Sequence, residues 1–197
     1  MDKYRILVDL DNTGVDLVSE WIRVFNERHG TNLQLGDITD WDVSKFVDPG
    51  KRQDLWDILE LPGLYRGLKP YPGFVEALKT LYYDGIYEII IATATQVPQA
   101  AKEKMEWIFD HLPFLGQKNV VITHKKHMLR ADAMVDDGPH NIIDFKNANP
   151  RALTVCIGYP YNSHAVGYSD LYIQNGWKDM ADTWKTIVDY FRRANWC

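Results

Sequence analysis

Residues 5–13 read Arg-Ile-Leu-Val-Asp-Leu-Asp-Asn-Thr, an apolar run that closes on two carboxylates one residue apart with a threonine two further on. Side chains alternate faces along a strand, so Asp9 and Asp11 inside it would share a face. A buried parallel strand delivers such a pair to the crevice beyond its carboxyl end, where open α/β sheets bind ligands. Two like charges held that close repel, which raises one pKa unless a cation sits between them. Magnesium meets the requirement, because it takes oxygen ligands, keeps several waters and is usually bound together with substrate phosphate. The plainer alternative is that Asp9, Asp11 and Asn12 only end the strand and cap the next helix.

Outward from this segment, residues 14–30 place Val15, Leu17, Val18, Trp21, Ile22 and Phe25 at helical spacing and stop at Gly30, which predicts an amphipathic helix. Residues 31–72 change character: they lack β-branched runs and carry Trp41, Phe46, Trp56 and Tyr65 among several prolines and glycines. That composition predicts a small helical insertion. Beyond Pro72-Gly73 the pattern predicts a helix to about residue 83, a strand over 87–92, a helix over 98–111 and a strand over 119–122. A short strand over 133–135 runs into Asp136-Asp137-Gly138, followed by a helix near 141–147, strands over 153–157 and 171–174, and a helix over about 179–193. Strands of unbroken apolarity alternating with helices argue an α/β fold whose parallel sheet is covered on both faces.

A chain of 197 residues with 46% hydrophobic content buries a full core and fits one domain, or one domain with an insertion. Its 22 basic and 27 acidic side chains give a net charge of −5 with no dense basic block, which argues against duplex nucleic acid as a partner. No apolar run approaches the ~20 residues of a membrane span, and the start lacks a signal peptide's apolar segment. A soluble, cytoplasmic protein is expected. Cys156 reads as a small core residue and Cys197 is the last residue; two such cysteines indicate neither a disulfide framework nor a zinc site.

Further polar residues punctuate the ends of the predicted strands. Thr93 follows residues 87–92 and has a hydroxyl to offer a phosphate oxygen. Lys126 follows the 119–122 strand, where an ammonium would neutralise phosphate charge. Asp136 and Asp137 form a second acidic pair at a strand end, suited to supply a remaining metal ligand and to orient the lysine. His124, His127 and His140 flank these positions without metal-ligand spacing and read as loop residues.

The ordered set Asp-x-Asp-x-Thr, Thr, Lys, Asp-Asp resembles the haloacid dehalogenase (HAD) superfamily of phosphatases. Residues 61–73 (Leu-Pro-Gly-Leu-Tyr-Arg-Gly-Leu-Lys-Pro-Tyr-Pro-Gly), Glu-Lys-Met-Glu-Trp at 103–107, the stretch 123–137 and Asn-Gly-Trp-Lys-Asp-Met from Asn175 narrow it: they look like the 5'(3')-deoxyribonucleotidases. The resemblance implies a Rossmann-like core over 1–13 and 73–197 with a small helical cap over 14–72. It implies Asp9 as nucleophile and Asp11 as general acid and base, with Mg2+ on the Asp9 carboxylate, the Asp11 carbonyl and Asp137 in preference to Asp136. Thr93 and Lys126 would hold the phosphate, with Lys104 a lesser candidate. Asn12 stands where the family usually has glycine, Ala94 where a serine often follows the threonine, and Gly138 where some members have arginine.

The cap's aromatics are candidates to stack on a nucleobase, Trp41 and Trp56 first, then Leu17 and Phe46, although a small helical cap also needs aromatics for its own core. The leading expectation is a magnesium-dependent 5'-nucleotidase acting on (deoxy)nucleoside monophosphates. The competing readings are a broad small-molecule or nucleic-acid-end phosphatase and a non-catalytic nucleotide-binding module. Base and sugar preference, 5' against 3' phosphate and assembly, a homodimer included, stay open.

Overall fold

The structure is a computed structural model that describes residues 3–95, 97–194 and 196. Six strands form one sheet: β1 (Tyr4–Val8), β2 (Tyr87–Thr93), β3 (Val120–Ile122), β4 (Ala133–Asp136), β5 (Leu153–Ile157) and β6 (Leu171–Ile173). Their spatial order is β3-β2-β1-β4-β5-β6 and every neighbouring pair is parallel. The chain winds to one side of β1 and then to the other, so a topological switch point lies between β1 and β4 at the carboxyl end of the sheet. Val8 pairs with Ile91 on one side and Val135 on the other, which brings the ends of the three central strands level.

Apolar residues at successive positions of the strands enter opposite cores. Ile6, Val8, Ile89 and Ile91 meet Phe74 and Leu78 of α3 (Phe74–Tyr83), Trp107 of α4 (Pro98–His111), and Trp184 and Ile187 of α6 (Met180–Arg193). Leu7, Ile90, Ala92, Met134 and Cys156 meet Ile142 and Phe145 of α5 (Pro139–Ala148). Helices on both faces explain why the strands read as continuous apolar runs. Cys197 lies outside the described residues.

Between β1 and α3 the chain forms α1 (Leu17–His29), three 3₁₀ turns (Leu35–Asp37, Val43–Phe46, Pro49–Lys51) and α2 (Arg52–Ile58). Asp16 caps α1 by accepting from the Ser19 amide, and Gly30, at φ 62°, closes it in the left-handed conformation that glycine adopts without cost. The Trp21 indole donates to the Leu55 carbonyl and ties α1 to α2. Leu55 and Ile58 are fully buried against that pair, each contributing about 1.5–3 kcal/mol relative to exposure. The segment returning to α3 is fastened to α4: Glu103 accepts from the amides of Gly63, Tyr65 and Arg66, and the Trp107 indole donates to Leu68.

Two expectations are corrected by the turn that follows β1. The strand ends at Val8, before both carboxylates, and α1 begins at Leu17 and not at residue 14. Here the Leu10 carbonyl accepts from the amides of Thr13, Gly14 and Val15, curling the chain out of the sheet. Asn12 takes φ 51°, and Gly14 lies under Phe74 so closely that a Cβ would sit 2.6 Å from the ring. Asn12 thus fills a left-handed position that favours glycine, while its side chain accepts from the Val18 amide in α1. Among the described residues no helix is long and apolar enough to cross a membrane.

Candidate active site

Asp9 continues the line of β1, its amide donating to the Val135 carbonyl, and projects into the crevice at the switch point. Lys126, in a 3₁₀ turn after β3, reaches Asp9 Oδ1 at 2.6 Å and Asp136 Oδ2 at 2.7 Å. All three side chains are buried. On the other side Lys104 of α4 donates to Asp11 Oδ2, to Thr93 Oγ1 at 3.2 Å and to the Ala94 carbonyl at 2.7 Å, with the Tyr65 ring centroid 5.0 Å from its ammonium. Asp9, Asp11, Thr93, Lys104, Lys126, Asp136 and Asp137 therefore meet in one cluster although they come from four strand ends and a helix.

Four carboxylates face two ammonium groups there, so the fully ionised cluster carries 2 − 4 = −2. Burial pushes Asp9 up, and the Asp136 charge adds to it against the pull of Lys126. Asp137 is driven well above the ordinary carboxylate range by burial and by the charges of Asp136 and Asp9. Burial alone would lower Lys126, yet Asp136 and Asp9 together hold it above the usual lysine value, so it stays cationic. Burial raises Asp11 as well, against the pull of Lys104, and the Asp9 charge adds to it. Its Oδ1 is a buried acceptor with no hydrogen-bond partner in the structure.

The donor set suits a hard divalent cation. One oxygen from each of Asp9, Asp136 and Asp137 lies within 4.8 Å of the others. Asp136 is already committed, since its two oxygens take Lys126, the Gly138 amide at 2.7 Å and the Asn141 amide group. Asp137 accepts only neutral hydroxyls, Tyr161 at 2.7 Å and Thr13 at 3.3 Å, and among the described residues no lysine or arginine is paired with it. Gly138 is tightly fitted, because a Cβ there would lie 2.9 Å from Asp136 Oδ1 and 2.8 Å from Asn141.

The family described as "5' nucleotidase, deoxy (Pyrimidine), cytosolic type C protein" matches residues 3–188. The chain belongs to this family. It is 33% identical over 146 residues to a 5'(3')-deoxyribonucleotidase of Clostridium acetobutylicum, covering 74% of this chain and 79% of that one. To the Bacillus subtilis 5'(3')-deoxyribonucleotidase it is 32% identical over 145 residues, covering 73% and 81%. Its fold is similar to that of a haloacid dehalogenase-like protein from Agrobacterium tumefaciens, with a TM-score of 0.64 at 12% identity over 96% of this chain and 99% of the other. A haloacid dehalogenase-like hydrolase of Streptococcus pneumoniae gives 0.62 at 13% identity over 96% and 98%. The protein is thus a phosphoric monoester hydrolase on the haloacid dehalogenase fold.

In this nucleotidase the expected base-contacting residues scatter. Trp41 is 46% exposed and stands edge-on to His140 at 4.8 Å and to Tyr161 at 5.6 Å, lining a cleft of about 520 Å³ with Thr39, Asp40 and His164. Through Tyr161 it reaches Asp137. Trp56 instead rests on Trp21 at 5.1 Å, on the α1–α2 pair. Leu17 is buried in the larger core, and Phe46 packs half-buried against it. His140 belongs to the first turn of α5 and is no loop residue.

The sequence marks Lys104 as a lesser phosphate candidate and places Thr13 in the Asp-x-Asp-x-Thr motif without a role, and it does not single out Tyr161, Asn141 or Asn162. Asn162 donates to the carbonyls of Asp137 and Ile157 and fixes the turn after β5. A signal was present: Tyr159-Pro160-Tyr161-Asn162 is a polar-aromatic run directly beyond β5, the same strand-end punctuation that exposed the other positions.

Proposed function

We propose that the protein is a magnesium-dependent nucleotidase that hydrolyses (deoxy)nucleoside monophosphates through an aspartyl-phosphate at Asp9. The observation that carries this reading is the pairing of two differently held carboxylates: Asp9, ion-paired to Lys126, beside Asp11, whose buried Oδ1 has no hydrogen-bond partner. An Asp9 oxygen attacks phosphorus in line while the bond to the ester oxygen breaks. Asp11, protonated at that moment, gives its proton to the departing alkoxide and later takes one from the water that attacks the acyl phosphate. The upward shift of Asp11 serves the first of these roles, and such proton transfer is typically worth ~10²–10⁴-fold. Phosphate monoesters hydrolyse so slowly unaided that the site must lower the barrier by well over ~15 kcal/mol.

Lys126 opposes the burial that raises Asp9, and with Lys104 and Thr93 it would neutralise and bind phosphoryl oxygens that otherwise repel the nucleophile. Mg2+ would be held by the Asp9 carboxylate, the Asp11 carbonyl and Asp137, and when bound supplies charge neutralisation at the phosphoryl group. Residues 14–72 act as a cap over a core of residues 1–13 and 73–197, excluding water and contacting the nucleoside. Trp41, the exposed aromatic joined to the cluster through Tyr161, is the cap residue assigned to the base.

Phosphate release from a panel of nucleoside monophosphates and sugar phosphates, with and without magnesium, tests the reading. Magnesium-dependent turnover that favours the nucleotides is expected. Turnover confined to the sugar phosphates, or unaffected by chelation, would overturn it.

A further inference from the structure

The two acidic neighbours Asp136 and Asp137 are held by different kinds of donor. Asp136 takes an ammonium, a backbone amide and a side-chain amide. Asp137 takes two neutral hydroxyls, one on each oxygen: Tyr161 on Oδ2 at 2.7 Å and Thr13 on Oδ1 at 3.3 Å. A carboxylate oxygen has two lone-pair directions, so each Asp137 oxygen keeps one for another ligand. Neutral donors fix the rotation of the group without cancelling its charge, which is the arrangement a ligand to a hard cation needs.

Both hydroxyls are themselves immobilised. Tyr161 is buried, its ring stacked on Tyr159 at 5.0 Å and 14° and met edge-on by Trp41. Tyr159 in turn donates to the Asn12 carbonyl at 2.7 Å and exchanges a hydrogen bond with the Tyr71 hydroxyl. Thr13 is fully buried in the turn after β1, and its carbonyl accepts from the Trp184 indole at 3.2 Å. One hydroxyl comes from the turn after β1 and the other from the turn after β5, so the carboxylate is gripped from both sides of the switch point.

We propose that Tyr161 and Thr13 are positioning residues that orient the Asp137 carboxylate toward the divalent cation and thereby set the affinity of the site for magnesium. The inference rests on the reading of Asp137 as a metal ligand. Partners that orient a metal ligand typically change metal affinity by roughly 10–100-fold when removed. Tyr161→Phe keeps the ring and its stacking and removes only the hydroxyl, and Thr13→Val does the same at the other oxygen.

The test titrates magnesium chloride calorimetrically into substrate-free wild type, Tyr161→Phe, Thr13→Val and Asp137→Asn, with unfolding midpoints recorded in chelator and in magnesium. Tyr161→Phe should bind magnesium roughly 10–100-fold more weakly, and Thr13→Val should weaken it less because its bond is longer. The rise in midpoint that magnesium produces should shrink in step, a change a merely structural residue would not bring about. If Tyr161→Phe does not fold, Thr13→Val alone decides the matter. Wild-type affinity in the hydroxyl variants, with binding lost in Asp137→Asn, overturns the inference and leaves the metal reading intact. Unchanged binding in Asp137→Asn, or none in the wild type, removes the metal reading itself.

Discussion

At the carboxyl end of the sheet four carboxylates and two ammonium groups share a buried space, each placed by a strand end or by the reach of a lysine. Residues 31–72 hold together differently, through Leu35, Ile38, Val43, Leu55 and Ile58 packed on α1 and through the fastening of 63–68 to α4. In the first region Lys126 is shared by Asp9 and Asp136 and Lys104 pairs with Asp11, so removing a lysine leaves a buried carboxylate uncompensated, which costs far more than losing a surface pair. In the second, an aromatic ring serves packing or ligand contact equally well, and only its neighbours decide which. The proposed chemistry thus falls where charge is confined, and the proposed contact with the base falls in the region held mainly by apolar packing.

The largest effect expected on the charged side is that of Asp9→Asn, which removes the attacking carboxylate at nearly constant volume. Turnover should vanish while circular dichroism shows an unchanged fold; activity near wild type would place the nucleophile elsewhere. Asp11→Asn should lower kcat by ~10²–10⁴ and leave magnesium binding by calorimetry nearly unchanged, since the backbone carbonyl remains. Collapse of metal binding in that variant would make the Asp11 side chain a ligand.

On the apolar side, Trp41→Ala should raise KM for nucleoside monophosphates by an amount worth ~1–3 kcal/mol and barely alter hydrolysis of a sugar phosphate. Trp56→Ala should instead lower the unfolding midpoint and affect both substrates alike, because its ring is the partner of Trp21. The opposite assignment of the two tryptophans would show that the cleft at Trp41 does not receive the base.

The smallest effect lies away from both regions. Asp170 accepts from Lys146 Nζ, the Thr154 amide and the Thr154 hydroxyl; burial pushes its carboxyl up, but these donors outweigh it and hold it below the ordinary value. A folded-state pKa below the unfolded one gives stability that is present above about pH 3.9 and lost as pH falls through the lower folded value. Urea unfolding of Asp170→Asn should therefore depend less steeply on pH below about 4 than that of wild type. Parallel curves would mean that the carboxylate adds nothing there.

The legibility of the molecule divides along the same line. Asp9, Thr93, Lys126, Asp136 and Asp137 could be found because a parallel sheet gathers its carboxyl ends, and polar residues ending apolar runs stand out. Lys104 stood out less, being one of two lysines on an amphipathic helix, and the length of its side chain brings it to Asp11. The turn that carries Asp11 and Thr13 out of the sheet was hidden for another reason: the left-handed Asn12 and the closeness of Gly14 to Phe74 are tertiary facts. Trp41 and Trp56 are 46% and 43% exposed, so exposure could not separate them; His140 and Tyr161 beside one, and Trp21 beside the other, did.

The central claim is that phosphate passes through a covalent bond to Asp9. Quenching the enzyme during turnover of a nucleoside monophosphate with borohydride, which reduces an acyl phosphate to the alcohol, and mapping the product by peptide mass spectrometry tests this directly. Homoserine at position 9, absent without substrate, is the predicted result. Homoserine at Asp11, Asp136 or Asp137, or full turnover with no reduced residue at all, would contradict the account.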